Sequence, residues 1–501
     1  MVGAVVSMSS AAHAQLESDD IEITATSSQD DLEIEAAPST DSATSGTESA
    51  SSSTASSELD ELRARVAQLE AHLVERAHDD EATPEQPPPT PTVTQPAGEQ
   101  HDFLSDVLRG FSVSAYLQAQ YVWSQLSQDE VDPDGNLLNR DRFDLRRARV
   151  RLTGNWGPFS IDLEVNGSTT RGPVFGLYRA TVGLAYANGD RTLPPYIAGL
   201  VGMTEIPFGH EVRLGQRDMP FMERSTGSLA FFRGPIDIGA KVQGALGPIR
   251  YDVAVMTGSP IDDRAGSLSI PPTAQPDVVG RIGFDSRPHD ALTLAGGASF
   301  LWGSGFSAGQ PARSSSIEWV DLNQNGMLDT GELMVLPGRA ATPSATFQHW
   351  ALGADLELAL TTALGRTDLF GEVVLATNLD RALFVADPVV SGADVREVSA
   401  YVAIVQSILG WGVVGFRYDY YDPNSDFVDQ RRGLSVPTNA SMHTFSPMVG
   451  VTIPSELYPG FRARLVFQYD AIVDHLGRDS RGVPTDLAND QFTIRVQGEV
   501  R

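Results

Sequence analysis

FDLRRARVRLTGNWGPFSIDLEVNG, residues 143–167, is the stretch whose reading decides the fold. In its first half Arg147, Arg149 and Arg151 alternate with Ala148, Val150 and Leu152. That period of two is a strand with one charged and one apolar face. Three arginines on one face cannot meet lipid, where each costs about 2–4 kcal/mol near mid-depth. They are expected to face a wet interior. After Asn155–Pro158 the chain resumes alternation with Asp162, Glu164 and Asn166 on the polar face. If residues 155–158 form a four-residue turn, Arg151 faces Asp162, Arg149 faces Glu164 and Arg147 faces Asn166. Opposed charges of this kind stabilise by up to about 1 kcal/mol per pair. The reading is a neutralised ladder on the wall, outweighing an anion track, with Arg147 the least compensated.

The pattern extends outward. FSVSAYLQAQYVW, from Phe111, alternates in the same way, and candidate strands follow at roughly 143–154, 159–167, 176–187, 194–204, 236–246, 248–257, 278–286, 290–302, 346–360, 366–377, 393–408, 411–421, 443–453, 460–472 and 490–500. Most have the length that a tilted strand needs to cross a bilayer. Their connections alternate between short and long, the long ones being 124–142, 168–175, 205–235, 258–277, 303–345, 378–392, 422–442 and 473–489. An even strand count with one short-turn end and one long-loop end predicts an all-β protein, a 16-stranded antiparallel transmembrane barrel in the outer membrane. Closure leaves no unpaired edge in lipid.

Ahead of the barrel, assigned to 105–501, lie four segments. Residues 1–14, ending Ala12-His13-Ala14, read as a signal peptide whose start is truncated. Residues 15–57 are acidic and small, a composition for disorder. Residues 58–76 carry Leu59, Leu62, Val66, Leu69 and Leu73 at a/d spacing, a short coiled coil or else an amphipathic helix lying on the barrel. Residues 77–104 are a Pro-rich spacer.

Composition excludes other classes. The 501 residues contain no cysteine, which removes disulfides, Cys-zinc sites and thiol catalysis. The net charge is −29, and residues 1–100 alone hold 20 acidic against 3 basic side chains, against a general nucleic-acid binder. Gly305-Phe306-Ser307-Ala308-Gly309 matches a nucleophile elbow in letters, but no helix follows it and no His pairs with it, so no enzyme is expected. The nine His lack zinc spacing.

RRARVRLTGNWGPFSIDLEVN resembles the phosphate-selective porin O and P family, as do Gly202-Met203-Thr204-Glu205-Ile206-Pro207-Phe208-Gly209, Phe221-Met222-Glu223-Arg224-Ser225, Arg233-Gly234 and the glycines Gly239, Gly244 and Gly247 before Tyr251. The resemblance covers about 105–260 by motif and the rest by strand pattern. It implies a homotrimeric channel in outer-membrane lipid, with loop 205–235 folded inward to narrow the pore and anions such as phosphate among its small polar solutes. Where that family's anion channels use many lysines, this chain has one, Lys241. The loop carries Arg213, Arg217, Arg224 and Arg233 against Glu205, Glu211, Asp218 and Glu223. Equal numbers of each sign suggest a transverse field rather than strong anion choice. The candidate lumen residues are therefore Arg147, Arg149, Arg151, Arg213, Arg217, Arg224, Arg233 and Lys241, each facing solute or tying the loop to the wall. A non-selective or cation-tolerant porin and a structural tether anchored by the barrel are the alternatives.

One loop holds a separate signal. Asp321, Asn323, Asn325, Met327 (by its carbonyl), Asp329 and Glu332 occupy the six ligand positions of a twelve-residue calcium loop, with Gly326 at the sharp turn and no flanking helices. A structural Ca²⁺ that stiffens the outer loop is expected there. No other cofactor is implied.

Overall fold

A computed structural model describes residues 110–500 except 128–138, 140, 171, 187–193, 262–274, 320–326, 329, 331, 427, 430–435, 438–440, 454–456 and 479–483. The leader, acidic, coiled-coil and linker segments assigned to residues 1–104 lie outside the described residues.

Sixteen antiparallel strands close into one barrel. They are β1 (Phe111–Ser124), β2 (Arg142–Trp156), β3 (Phe159–Ser168), β4 (Val174–Tyr186), β5 (Ile197–Glu205), β6 (Ile236–Leu246), β7 (Ile249–Met256), β8 (Asp277–His289), β9 (Leu292–Ser307), β10 (Ala345–Thr362), β11 (Gly365–Thr377), β12 (Arg396–Ile408), β13 (Gly412–Asp422), β14 (Met442–Ile453), β15 (Phe461–Val473) and β16 (Gln491–Val500). Closure is made by β16 pairing with β1, Val500 opposite Ala115 and Gln491 opposite Ser124.

The barrel is inside-out relative to a water-soluble one. Val113, Leu117, Val150, Val182, Val201, Ile282, Leu352, Val402 and Val496 are exposed on the outer surface, while charged neighbours such as Arg149, Glu164 and Arg495 are buried. Aromatic rings mark both rims of this apolar belt. Phe159, Tyr186, Trp411, Tyr458 and Phe461 stand at the short-turn end, and Trp123, Phe143, Phe175, Trp302 and Trp350 at the long-loop end. An apolar band between two aromatic girdles is the surface that a bilayer selects. The chain is thus an outer-membrane β-barrel by its own surface chemistry.

The β2–β3 turn corrects the expected register. Trp156 pairs with Phe159, so the turn is the dipeptide Gly157-Pro158 and not four residues. Gly157 has φ +58°, the left-handed conformation that a tight hairpin asks of its first central residue. The same Gly-Pro pair turns β6 into β7, where Gly247 has φ +60°. Arg151 is consequently opposite Glu164 and Arg149 opposite Asn166. The slip is by two, so every side chain keeps its expected face.

A second departure concerns Arg146. Gln118 pairs with Arg147 but Ala119 with Leu145, so Arg146 is the extra residue of a β-bulge. Both arginines turn inward, at 3% and 2% exposure. A regular strand would have sent one of them into lipid, and re-aiming a side chain is what a bulge does. A matching bulge on β4 makes Tyr178 the extra residue beside Arg179 and also points it inward.

Candidate functional site

Residues 206–235 leave the long-loop end of β5 and fold into the lumen before β6 begins. This inner loop contains one short helix, α1 (Thr226–Phe231). Its attachments run round most of the wall. Gly209 N donates to Ser299 Oγ on β9 at 2.9 Å, and His210 N to Glu372 Oε2 on β11 at 3.1 Å. Thr226 N and Oγ1 both donate to Asp419 Oδ2 on β13. Arg464 on β15 donates to Met219 O at 2.7 Å, and Gln468 Oε1 accepts from Met222 N at 2.9 Å. Gln497 on β16 donates to Arg217 O at 3.0 Å.

Two apolar contacts reinforce these bonds. Phe208, Val212, Phe231 and Phe232 pack on inward-facing Met256, Val279, Leu301, Ala351 and Val374. Phe221 and Met222 pack on Phe370, Tyr401, Ala403, Val405, Met448 and Val466. An open aqueous lumen would be polar there. This part of the wall is instead the core beneath the loop.

The strongest single anchor is Glu223. Its carboxylate takes a fork from Arg146, at 2.8 and 2.9 Å, a 2.9 Å contact from Arg147 and a 2.8 Å contact from Arg495. Burial alone would raise this carboxyl, but the three guanidinium groups hold it well below the ordinary carboxylate range. Arg147 also donates to Gln118 Oε1 at 3.0 Å. It is therefore among the best compensated arginines, the reverse of the expectation. The partner lies 76 residues away on the inner loop, out of reach of strand-to-strand pairing. Glu211 makes a second anchor, 3.1 Å from Arg417 on β13 and accepting from Ser225 N and Oγ.

The other candidates separate into two groups. Arg224 braces the inner loop from within, donating to Phe232 O and Arg233 O, and Arg233 donates to Arg381 O on an outer loop. Arg149 stacks over the Tyr178 ring with its guanidinium carbon 3.5 Å from the centroid, and donates to Asn166 and to Gln216 of the loop. These residues hold structure. On the wall from β2 to β7, by contrast, the charges pair with one another and with the loop in a connected series. Arg151 forks onto Asp162 across a diagonal of the ladder at 2.7 and 2.5 Å. Asp162 lies 3.5 Å from Arg179, and Arg179 bonds Glu205. Lys241 sits in the field of Glu205 and Asp252, and Arg213 reaches Asp252 at 3.3 Å from the loop side. Arg151, Glu205 and Arg213 keep 33%, 30% and 34% side-chain exposure, against 2% for Arg147. A cavity of about 230 Å³ lies between β1–β5 and the turn Gly215–Asp218, with Ser114, Arg151, Arg179, Glu205, Arg217 and Asp218 on its lining.

Sequence reading missed Arg146, Arg179, Arg281, Arg417 and Arg495 as lumen arginines. Arg281, for example, forks onto Asp355 at 3.0 and 2.5 Å. In the outer loop, Asp321, Asn323, Asn325 and Asp329 lie outside the described residues. Their neighbours form a β-hairpin, Ser316–Trp319 with Leu333–Leu336, so strands flank the twelve-residue motif. Trp319 Nε1 donates to the buried Glu332 Oε2 at 3.1 Å at the neck of this hairpin, and Met327 is exposed.

No family model matches the sequence, and no curated protein does. Solved structures with a similar arrangement include an anion-selective porin from Comamonas acidovorans, at 12% identity over 78% of this chain and 98% of that one, TM-score 0.41. The outer membrane channel DcaP of Acinetobacter baumannii is similar at 10% identity over 78% and 96%, TM-score 0.46. OprB of Pseudomonas putida is similar at 11% over 79% and 95%, TM-score 0.45. These values are too low to carry a solute or a selectivity across, and the outer-membrane reading rests on the barrel itself.

Proposed function

We propose that this protein is an outer-membrane porin, a passive channel for small hydrophilic solutes with weak preference for the sign of charge. One observation carries the reading. The inner loop packs on the wall from β7 round through β16 and leaves a cavity against β1–β5, at and beside which each cation faces a carboxylate. Arg151 meets Asp162, Arg179 meets Glu205, and Arg213 meets Asp252. Alternating charge in a low-dielectric constriction produces a field across the path rather than a uniformly positive one. Phosphate, the solute that the resemblance implies, would have to compete with these carboxylates for every guanidinium fork.

The test is planar-bilayer conductance with the reversal potential read in a salt gradient. A reversal potential near zero is expected, and phosphate should not block chloride current. A strongly anion-selective potential with block by phosphate would restore the phosphate channel. A folded barrel with no conductance would favour the tether.

A second reading concerns the outer loop. The Asp321–Glu332 motif, closed at its neck by the Trp319–Leu333 pair, is proposed to hold a structural Ca²⁺. Trp319, hydrogen-bonded to the last acidic residue of the motif, is placed to sensitise a substituted lanthanide. Terbium should luminesce on tryptophan excitation, be displaced by Ca²⁺, and fall silent in D321A. Equal emission from D321A would contradict the site.

A further inference from the structure

We infer that Arg381 is a positioning residue that latches the inner loop to the outer mouth, so that the loop 378–395 between β11 and β12 sets where the constriction lies. The inference rests on the channel reading only for its consequence; the latch itself is a set of contacts.

Loop 378–395 does not simply project outward. Leu379 and Asp380 are buried at 0% and 1% exposure. Their N–H groups donate to Glu397 Oε1, each at 2.9 Å. The Asp380 carboxylate in turn accepts Ala382 N, Leu383 N and Phe384 N at 2.9 Å, together with the Tyr421 hydroxyl. The turn 379–384 is thereby held in shape, and Arg381 is its one basic side chain.

Arg381 joins four segments. Its N–H donates to Ala230 O in α1 at 3.0 Å, and its carbonyl accepts from Arg233 at the end of the inner loop. Its guanidinium donates to Gly258 O after β7 and to Asp277 Oδ2 on β8 at 2.9 Å. Asp277, at 2% exposure, has His349 of β10 on its other oxygen at 2.8 Å. Beside the polar contacts, Leu379 lies in one apolar cluster with Phe231 and Phe232, and Leu383 and Phe384 pack against it. Two chain segments separated by some 150 residues, the hydrogen-bonded pair Arg233 and Arg381 being 148 apart, share one core inside the barrel. A disturbance of the outer loop therefore reaches the inner one through Arg381 and the apolar contacts around it. Shared, discretely packed elements of this sort are how a local shift becomes a change elsewhere.

The experiment uses the natural absence of cysteine. A230C, full length and folded in detergent or vesicles, places a thiol at a site with 0% exposure that reports opening of the inner loop. In the R381A background the turn keeps its main-chain bonds to Ala230 and Arg233 but loses the guanidinium's ties to Gly258 O and Asp277 that hold it in place, and this thiol should react with a maleimide on the order of tenfold faster. Open-channel noise and mean conductance should rise with it. R381K keeps the charge near Asp277 but not the fork, so it should fall between. R339A, which removes the guanidinium that donates to Val390 O on the same outer loop, should change neither reading. Unchanged labelling in R381A, or equal acceleration by R339A, overturns the latch. Should R381A fail to form the barrel, R233A removes the other half of the contact, and unchanged labelling there overturns it as well. Because labelling needs no current, a non-conducting parent would defeat the channel reading without touching this one.

Discussion

E223Q releases the inner loop from β2 and β16. Arg146, Arg147 and Arg495 have side-chain exposures of 4%, 2% and 4%, and all three converge on the one carboxylate. The amide keeps the shape and removes the charge. Three buried guanidinium groups then share a neutral oxygen, a loss on the order of 3 kcal/mol, at the low end for breaking a buried pair because the Glu223 side chain retains 32% exposure. The barrel persists, since its ladder does not involve this residue. The expected result is a larger, noisier single-channel conductance and proteolytic cleavage within 206–235. Acid should imitate the substitution only late. Glu223 titrates below the value of about 4.3 that it has when unfolded, so its contribution is complete above that pH and disappears as pH falls through the depressed folded value. Parent conductance should hold steady from neutrality to mild acid, and E223Q should lack the acid transition. A parent that opens near neutral pH would contradict this assignment.

R417A is expected to cost more. Arg417 is 3% exposed, bonds Glu211 Oε1 at 3.1 Å and Glu223 O at 2.9 Å, and lies 4.9 Å above the Phe221 ring. Truncation leaves Glu211 and Asp419, at 2% and 1% exposure, without that cation and opens a void under Phe221. Breaking one side of a buried pair costs about 3–5 kcal/mol. The folded, fast-migrating gel band should be lost at a markedly lower temperature. E211Q/R417M should recover much of the difference, because both charges leave together and the volume is kept. A double variant no better than R417A alone would show that Glu211 is not the partner that matters.

The fold was legible because a barrel in lipid obeys one alternation. Every outward position had to be apolar, so strand number, strand position and the short-long rhythm of connections followed from a period of two. Register was harder. Asn155 and Trp156 look like turn residues, yet they continue the strand, and only the left-handed preference of Gly157 marks the true two-residue turn. The bulge at Arg146 had a signal that went unused. Adjacent Arg146-Arg147 in a lipid-facing strand would bury one charge in hydrocarbon unless the strand were bulged. The closed side of the lumen had one too. Val398–Val405 is almost continuously apolar, the mark of a strand covered on both faces. What strand pattern could not supply was the partner of each lumen arginine. Glu223, Glu211 and Asp252 meet their cations through a loop whose path through the interior has no period to read. Arg147 therefore looked the least compensated, and for Arg224 and Arg233 the pattern left pore lining and loop anchoring equally open.

On this account solutes pass on one side of the lumen only, between the Gly215–Asp218 turn and the β1–β5 wall. Single cysteines in this cysteine-free chain test it most directly, with a charged methanethiosulfonate reagent added during conductance recording. S114C and G215C border the cavity, and a side chain at 215 meets only Asp218 at ordinary contact distance. Both should react quickly and cut the current. A351C and A403C, at positions 0% and 1% exposed beneath the inner loop, should remain unreactive and conduct as the parent does. Rapid modification and block at 351 and 403, with 114 and 215 silent, would place the path on the opposite wall and contradict the account.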